Sequence, residues 1–143
     1  MPANIAGIGH VGQAVAGIYR QSYCRLVTQP LQEPTFLILA SLADRSRYGY
    51  DVIQRVAELS GGRVTLRAGT LYGAFDRLTD QKWIGVDREE VVDGRLRRYY
   101  RLTDDGAAVL AAESDRLRAN AEAAANGLRA RAAALLVPPP TPA

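Results

Sequence analysis

The sequence is poor in the residues that build disulfides and metal sites. Its 143 residues include a single cysteine, Cys24, and a single histidine, His10. One cysteine excludes an intrachain disulfide, and one Cys with one His cannot form an all-protein Cys/His zinc site. We therefore expect neither a metal nor a cofactor, and we interpret Cys24 as a small apolar residue on a helix.

Long hydrophobic runs are also missing. No apolar stretch reaches the ~18 residues of a membrane-spanning helix. Residues 1–19 contain no Lys or Arg, so the basic segment of a secretory signal is absent. The composition, 48% hydrophobic and 23% charged, is typical of a globular domain. These features predict a cytoplasmic protein without a membrane partner.

Lysine is nearly absent as well. Lys82 is the sole lysine among 18 basic residues, so almost all of the positive charge is carried by arginine. The planar guanidinium group makes two-pronged contacts with phosphate and with guanine edges. This bias is compatible with a nucleic-acid partner, although a net charge of only +3 says little by itself.

Apolar periodicity and breaker residues predict three helices, at about residues 34–44, 48–59 and 68–81. A short polar link, Arg45-Ser46-Arg47, separates the first two. The expected inward-facing residues are Phe36, Leu37, Leu39, Ala40 and Leu42 on the first helix, Val52, Ile53, Val56 and Leu59 on the second, and Leu71, Ala74, Phe75 and Leu78 on the third.

A hairpin and a long helix follow. Residues 84–90 and 96–102 alternate as strands, and Asp93-Gly94 between them is a strong turn signal. Thr103 suits the N-cap of a final helix that runs to about Leu136. This order of three helices, hairpin and helix predicts a mainly α fold, a winged helix-turn-helix followed by an extra helix.

The hairpin and the third helix are the candidate functional elements. The segment GRLRRYYRL has four Arg and no acid, a density that packing does not require and a polyphosphate partner explains. The third helix begins with Ala68, Gly69 and Thr70, so its amide groups can approach a phosphate closely. The alternative is a solvated charged edge that prevents sheet aggregation. The acids Asp76 and Asp80 would repel phosphate on the face that should meet DNA.

Three blocks follow one another in the chain, EPTFLILASL, RYGYDVIQRVAELSGGRVTLRAGTLYGAFDRL and DGRLRRYYRLTDDG. Together they resemble the PadR family of winged-helix repressors, in its branch with a small C-terminal domain. The resemblance implies a homodimer that binds double-stranded DNA at an inverted-repeat operator and is released by an unknown small-molecule effector or stress signal. The DNA-facing positions that it implies are Tyr48, Tyr50, Thr70, Tyr72, Arg77, Arg95, Arg97 and Arg98.

A heptad-like seam predicts that the last helix mediates dimerisation. The apolar positions of this seam are Leu110, Leu117, Ala121, Ala124 and Leu128. The expected domain organisation is an N-terminal extension over residues 1–30, disordered or loosely helical, a winged-helix domain over 31–103, a dimerisation helix over 104–136 and a disordered Pro-rich tail over 137–143.

Two alternatives remain open at this point. Residues 7–12, GIGHVG, match the G-x-G-x-x-G dinucleotide fingerprint, which would make the chain a fragment of a nucleotide-binding enzyme. That fingerprint needs flanking strands and an acid about 20 residues further on, and these are poorly supplied here. A winged-helix protein-interaction adaptor that does not bind DNA is the second alternative. The leading prediction is a regulator and not an enzyme.

Overall fold

The computed structural model describes residues 29–138. Within these residues, four helices and three strands occur in the order α1 (Glu33–Ser41), β1 (Arg47–Tyr48), α2 (Gly49–Leu59), α3 (Ala68–Asp80), β2 (Ile84–Val92), β3 (Arg95–Leu102) and α4 (Asp104–Leu135). The GIGHVG motif, Cys24, most of the expected N-terminal extension and the last residues of the Pro-rich tail lie outside the described residues.

The core forms where the apolar stripes of α1, α2 and α3 meet. All four inward-facing residues predicted for α3 are buried, and Phe75 at their centre is 1% exposed. Its ring lies 4.2 Å from the ring of Tyr100 on β3, so the sheet is joined to the helices by an aromatic contact. Val52 and Val56 bring α2 into the same cluster.

The structure corrects the predictions for α1 and α2 and adds a core residue that they missed. Helix α1 ends at Ser41 with Leu42 as its C-cap, and does not continue to Asp44. Ile38 is fully buried although it was not assigned to the inward face, because this short helix is enclosed on more than one side. Leu59 is exposed instead of buried, since it lies in the last turn of α2, next to the loop.

The sheet contains a strand that the sequence did not reveal. Strand β1 is two residues long, and it pairs antiparallel with β3, with Arg47 opposite Tyr100 and Tyr48 opposite Tyr99. The sheet order is therefore β1-β3-β2. Consequently, α2 begins at Gly49 and not at Tyr48, and Tyr48 belongs to the sheet.

Arg47 anchors this strand. It is 4% exposed, and its Nε donates to the Ser41 carbonyl oxygen over 2.6 Å. Its Nη atoms donate to the carboxylates of Asp44, at 3.0 Å, and Asp51, at 3.1 Å. A buried guanidinium needs such partners, so Arg47 is a structural residue and not part of a polar link.

The hairpin follows the predicted turn. Asp93 and Gly94 have φ values of 51° and 73°, which are the two positive values of the tight turn that matches strand twist. A register shift between Val86 and Arg88 leaves Asp87 unpaired. Such a bulge locally bends and twists the strand.

Helix α3 ends and α4 begins close together. The N–H group of Lys82 donates to the carbonyl oxygen of Thr79, and that of Trp83 donates to the carbonyl oxygen of Leu78. Lys82 ends α3 in the left-handed region, at φ 63°, a position that glycine usually occupies. The hydroxyl of Thr103 accepts from the Gly106 N–H over 3.0 Å, which confirms the predicted N-cap of α4.

The chain divides into two compact units at Glu113 and Ser114, so α4 contributes its first turns to one and its remainder to the other. In the first unit, Glu113 is buried and its Oε1 accepts from the Leu31 N–H over 3.2 Å. In the second, most side chains of α4 are exposed, Leu117 and Leu128 included. Within residues 29–138, none of the helices combines the length and hydrophobicity that crossing a membrane requires.

Candidate nucleic-acid interface

The solvent-exposed side of α3 presents an open polar face. Thr70, Tyr72 and Arg77 are all exposed, and Tyr72 is 52% exposed despite its size. A Cβ atom built at Gly69 or Gly73 would meet nothing within 4 Å, so the helix backbone itself is accessible along this face. The exposure of Thr70, Tyr72 and Arg77 is what a DNA-facing role requires.

Tyr72 connects α3 to the start of α2. A Cβ atom at Gly49 would lie 2.8 Å from the Tyr72 hydroxyl oxygen, so the tip of this ring packs directly against Gly49 and would have to shift if a side chain were added there. The other edge of the ring meets Phe75 in a T-shaped contact, with centroids 6.0 Å apart. Tyr50, on the far side of Gly49, is 62% exposed. The three residues Tyr48, Gly49 and Tyr50 therefore border the open face of α3.

The arginines of the hairpin lie on two faces of the sheet. Arg97 shares one face with Tyr99, and Arg98 shares the other with Tyr100, because side chains alternate along a strand. The Tyr100 face packs on α3, where Arg98 lines an open cleft of about 340 Å³ together with Asp76, Asp80, Thr79 and Val86. We call the Tyr99 face the outer face.

The two neighbouring guanidinium groups have different partners. Arg98 Nε donates to Glu89 Oε1 over 2.8 Å, an ion pair directly across the hairpin. Arg97 instead lies over the ring of Tyr48, with its guanidinium carbon 4.7 Å from the ring centroid. Since Tyr48 adjoins Gly49, on which Tyr72 packs, the outer face continues from Arg97 to the N-terminal half of α3.

The outer face carries two further residues that sequence reasoning missed. The ring of Tyr99 meets that of Tyr48 edge-on, with centroids 5.5 Å apart, and the Arg88 guanidinium carbon lies 3.9 Å over Tyr99. The alternation of Arg97 with Tyr99 was a usable signal. The contribution of Arg88 was hidden, because its face depends on the bulge at Asp87.

Acidic groups partly neutralise this surface. The hydrogen bond from Arg88 lowers the pKa of Glu90, so this carboxylate stays ionised opposite Arg97. Arg88 also bonds Asp87 over 3.1 Å. Among the predicted site arginines, Arg77, Arg95 and Arg97 form no ion pair with any residue in the described part of the chain, whereas Arg98 is paired with Glu89.

The structure connects three of the predicted site residues. Arg97 lies over the ring of Tyr48, and Tyr72 packs against Gly49, the residue after Tyr48. Tyr50, Thr70, Arg77 and Arg95 are exposed. Arg98 departs from the group, because it lies on the opposite face of the sheet and is paired with Glu89. Three helices followed by a hairpin, whose second strand β3 also pairs with the short strand β1, define a winged helix-turn-helix protein.

Comparisons with known proteins identify the family. The model of the transcriptional regulator PadR-like family matches residues 38–112. An uncharacterised protein from Lysinibacillus sphaericus is 34% identical over 74 residues, which span 52% of this chain and 68% of that protein. This chain belongs to the PadR-like family, which is a family of transcriptional regulators and not of enzymes.

Solved structures agree with this fold. A PadR family transcription regulator from Clostridium difficile R20291 superposes with a TM-score of 0.57 and 26% identity, over 68% of this chain and 99% of that one. Bacillus subtilis PadR in complex with operator DNA superposes with a TM-score of 0.51 and 25% identity, over 57% of this chain and 46% of that one. The predicted family and winged-helix fold are therefore confirmed.

Proposed function

We propose that this protein is a sequence-specific DNA-binding transcriptional regulator, a homodimeric repressor that a small-molecule or stress signal releases from an inverted-repeat operator. The observation that carries the proposal is the run from Arg97 through Tyr48 and Gly49 to Tyr72, which joins the wing to the open face of α3. Similarity to Bacillus subtilis PadR, solved with its operator DNA, supports the same partner for this chain.

The two elements take different parts in this proposal. Helix α3 enters the major groove, where the hydroxyls of Thr70 and Tyr72 reach base edges or phosphates. Arg77, Arg95 and Arg97 bind the phosphate backbone, since guanidinium and phosphate form charge-assisted hydrogen bonds. Tyr48 and Tyr50 complete the surface. Arg98 joins the contacts only by giving up its ion pair with Glu89.

Dimerisation is proposed to use the part of α4 beyond Glu113. Leu117, Ala121, Ala124 and Leu128 are exposed in the single chain, which is what a helix awaiting a partner helix would show. Leu110, half-buried, begins the same seam. Pairing of two such helices would set the separation of the two α3 helices, which must be near ~34 Å to reach successive major grooves.

The direct test is selection of bound duplexes from a random DNA library with the full chain, followed by fluorescence anisotropy on the selected and a scrambled duplex. We expect enrichment of an inverted repeat. Tyr72→Ala should weaken binding to the selected duplex about tenfold more than binding to the scrambled one. Equal losses on both duplexes would remove Tyr72 from the specific contacts.

A matched control accompanies this test. Arg129→Ala removes one positive charge from an exposed position of α4, outside the winged-helix unit, and should leave both affinities unchanged.

A protein-interaction adaptor is the competing function, and one observation favours it. Asp76 and Asp80 lie exposed on α3 and would repel phosphate in the major groove. A carboxylate can also accept from the amino group of cytosine, so Asp76 fits a base-reading role at the expense of affinity. Library selection separates the two functions, since an adaptor would enrich no sequence.

A further inference from the structure

We propose that Tyr48 is a positioning residue, which holds the Arg97 guanidinium ready for a DNA phosphate and does not itself bind DNA through its hydroxyl group. This inference rests on the proposed function and deepens it, because it assigns the roles within one part of the surface. It also separates Arg97 from its neighbour Arg98, although the two are adjacent in the sequence.

The first support is a stack of four side chains on the outer face, Arg97, Tyr48, Tyr99 and Arg88 in that order. We call it the outer stack. The Arg97 guanidinium lies 4.7 Å from the centroid of Tyr48, and the Tyr48 and Tyr99 rings meet at 60° with centroids 5.5 Å apart. The Arg88 guanidinium closes the stack 3.9 Å from the centroid of Tyr99. Each ring is therefore held in place by a neighbour.

The backbone beneath Tyr48 is also fixed. Strand β1 pairs with β3, and its other residue, Arg47, is buried and hydrogen-bonded to Ser41, Asp44 and Asp51. Tyr48 is half-buried, and the next residue, Gly49, lies against Tyr72. The Tyr48 ring is thus fixed by its own backbone and by the ring of Tyr99. A positioning residue requires such rigidity.

The charges at the two ends of the stack differ. Arg88 is already bonded to Glu90 at 2.9 Å and Asp87 at 3.1 Å, so its charge is balanced within the hairpin. Glu90 lies opposite Arg97 across the hairpin and offsets part of its charge, but Arg97 rests on an aromatic face and, among residues 29–138, forms no ion pair. Stacking on a ring uses none of its N–H donors for hydrogen bonding, so the planar edge of the guanidinium remains available to phosphate oxygens.

Positioning has an energetic consequence that can be measured. An arginine side chain loses rotamer freedom when it is immobilised against a partner, and this loss weakens binding. If Tyr48 restricts Arg97 before DNA arrives, that loss is smaller on binding. Removal of the ring should then weaken DNA binding about two- to tenfold, and the effect should depend on the presence of Arg97.

The test is a double-mutant cycle on the full chain, with the selected duplex as the probe. We expect Tyr48→Phe to bind within about twofold of the wild type, because the ring is kept, and Tyr48→Leu to bind about two- to tenfold more weakly. Arg97→Ala should lower the magnitude of the salt slope by about two, because each subunit of the proposed homodimer loses one phosphate contact. Adding Tyr48→Leu to Arg97→Ala should cause no further loss.

Two outcomes would overturn the inference. If the Tyr48→Phe variant bound DNA as weakly as the Tyr48→Leu variant, the hydroxyl group would have to bind DNA directly. Losses that multiply in the double variant would mean that Tyr48 acts independently of Arg97. If the wild-type protein bound no DNA at all, the proposed function would fall first, so the two failures are distinguishable.

A measurement without DNA covers the case in which Tyr48→Leu destabilises the fold. The Nε–H proton of Arg97 should show a ring-current shift in the NMR spectrum of the free protein. We expect Tyr48→Phe to retain this shift. Its absence from the wild-type spectrum would contradict the stack itself.

Discussion

Gly106 is the position where a single methyl group should do the most damage. It lies in the first turn of α4, against Trp83, which links α3 to the wing. A Cβ atom there would lie 1.9 Å from the carbonyl oxygen of Trp83 and 2.9 Å from Cδ1 of Leu102. The nearer atom belongs to the backbone and cannot swing aside, so α4 would have to move by more than about 1 Å to regain ordinary contact.

The magnitude follows from three effects. Alanine normally stabilises a helix interior by about 0.5–1 kcal/mol relative to glycine. Overpacking at Gly106 should act in the opposite direction. It typically costs about 1–3 kcal/mol, and we expect a value in the upper part of this range because the clash is with backbone atoms. A shift of α4 would also weaken the hydrogen bond from the Thr103 N–H to the Trp83 carbonyl, now 3.0 Å long, for about 1 kcal/mol more. We expect Gly106→Ala to destabilise the protein by about 2–3 kcal/mol.

Gly127→Ala is the matched control, because it makes the same substitution in the same helix where a Cβ would meet nothing within 4 Å. Circular dichroism during thermal unfolding, at one fixed protein concentration, measures both variants. The midpoint should fall by about 10–20 °C for Gly106→Ala and stay level or rise for Gly127→Ala. Equal midpoints for the two variants would refute the close approach of α4 to Trp83.

Other predictions concern the anchor of β1 and the dimer. Arg47→Lys keeps the charge but cannot reach all the acceptors of the guanidinium, so urea unfolding should show a loss of about 1–3 kcal/mol; an unchanged midpoint would contradict the anchoring role. Partial desolvation raises the pKa of Asp44, but the hydrogen bond and charge of Arg47 hold it below its ordinary value of 3.8. Stability from this pair is therefore present above about pH 4 and lost as the pH falls through the lower, folded-state pKa. Asp44→Asn should reduce the change of the unfolding midpoint with pH between pH 5 and pH 2. An unaltered pH profile would argue against the ion pair of Asp44 and Arg47. Light scattering should show a dimer for the wild-type protein and a monomer for Leu117→Glu. A monomeric wild-type protein would contradict the proposed dimerisation seam.

Much of the fold could be predicted because local signals agreed with the tertiary structure. The stripe of Leu71, Ala74, Phe75 and Leu78 has a clear helical period, and Asp93-Gly94 specifies its own turn geometry. Thr103 caps a helix through a bond to a residue only three positions away. In each case, the deciding interaction lies within a few residues of the signal.

The elements that were missed depend on distant partners. Strand β1 is too short for any period, and it exists because β3 offers a free edge roughly 50 residues later. Arg47 is buried because the Ser41 carbonyl and two carboxylates converge on it, which no local pattern announces. The exposure of Leu59 reflects where the neighbouring helices end.

The candidate site shows the same division. Alternation correctly separated Arg97 from Arg98, but the sequence did not say which face would be paired and which would be free. That distinction comes from Glu89 across the hairpin and from Tyr48 on β1. The bulge at Asp87 then determines which face Arg88 joins, so the outer stack could be recognised only in three dimensions.

The salt dependence of DNA binding tests the central claim most directly. If Arg77, Arg95 and Arg97 of both subunits bind phosphates, about six contacts should give a slope of log affinity against log salt near −5. The slope should shrink strongly when the three arginines are replaced by alanine, and should stay near −5 for Arg129→Ala. Saturable binding to a selected duplex with this slope is the predicted result. An unchanged slope in the triple variant, or no saturable binding by the wild-type protein, would contradict a DNA-binding surface made of α3 and the wing.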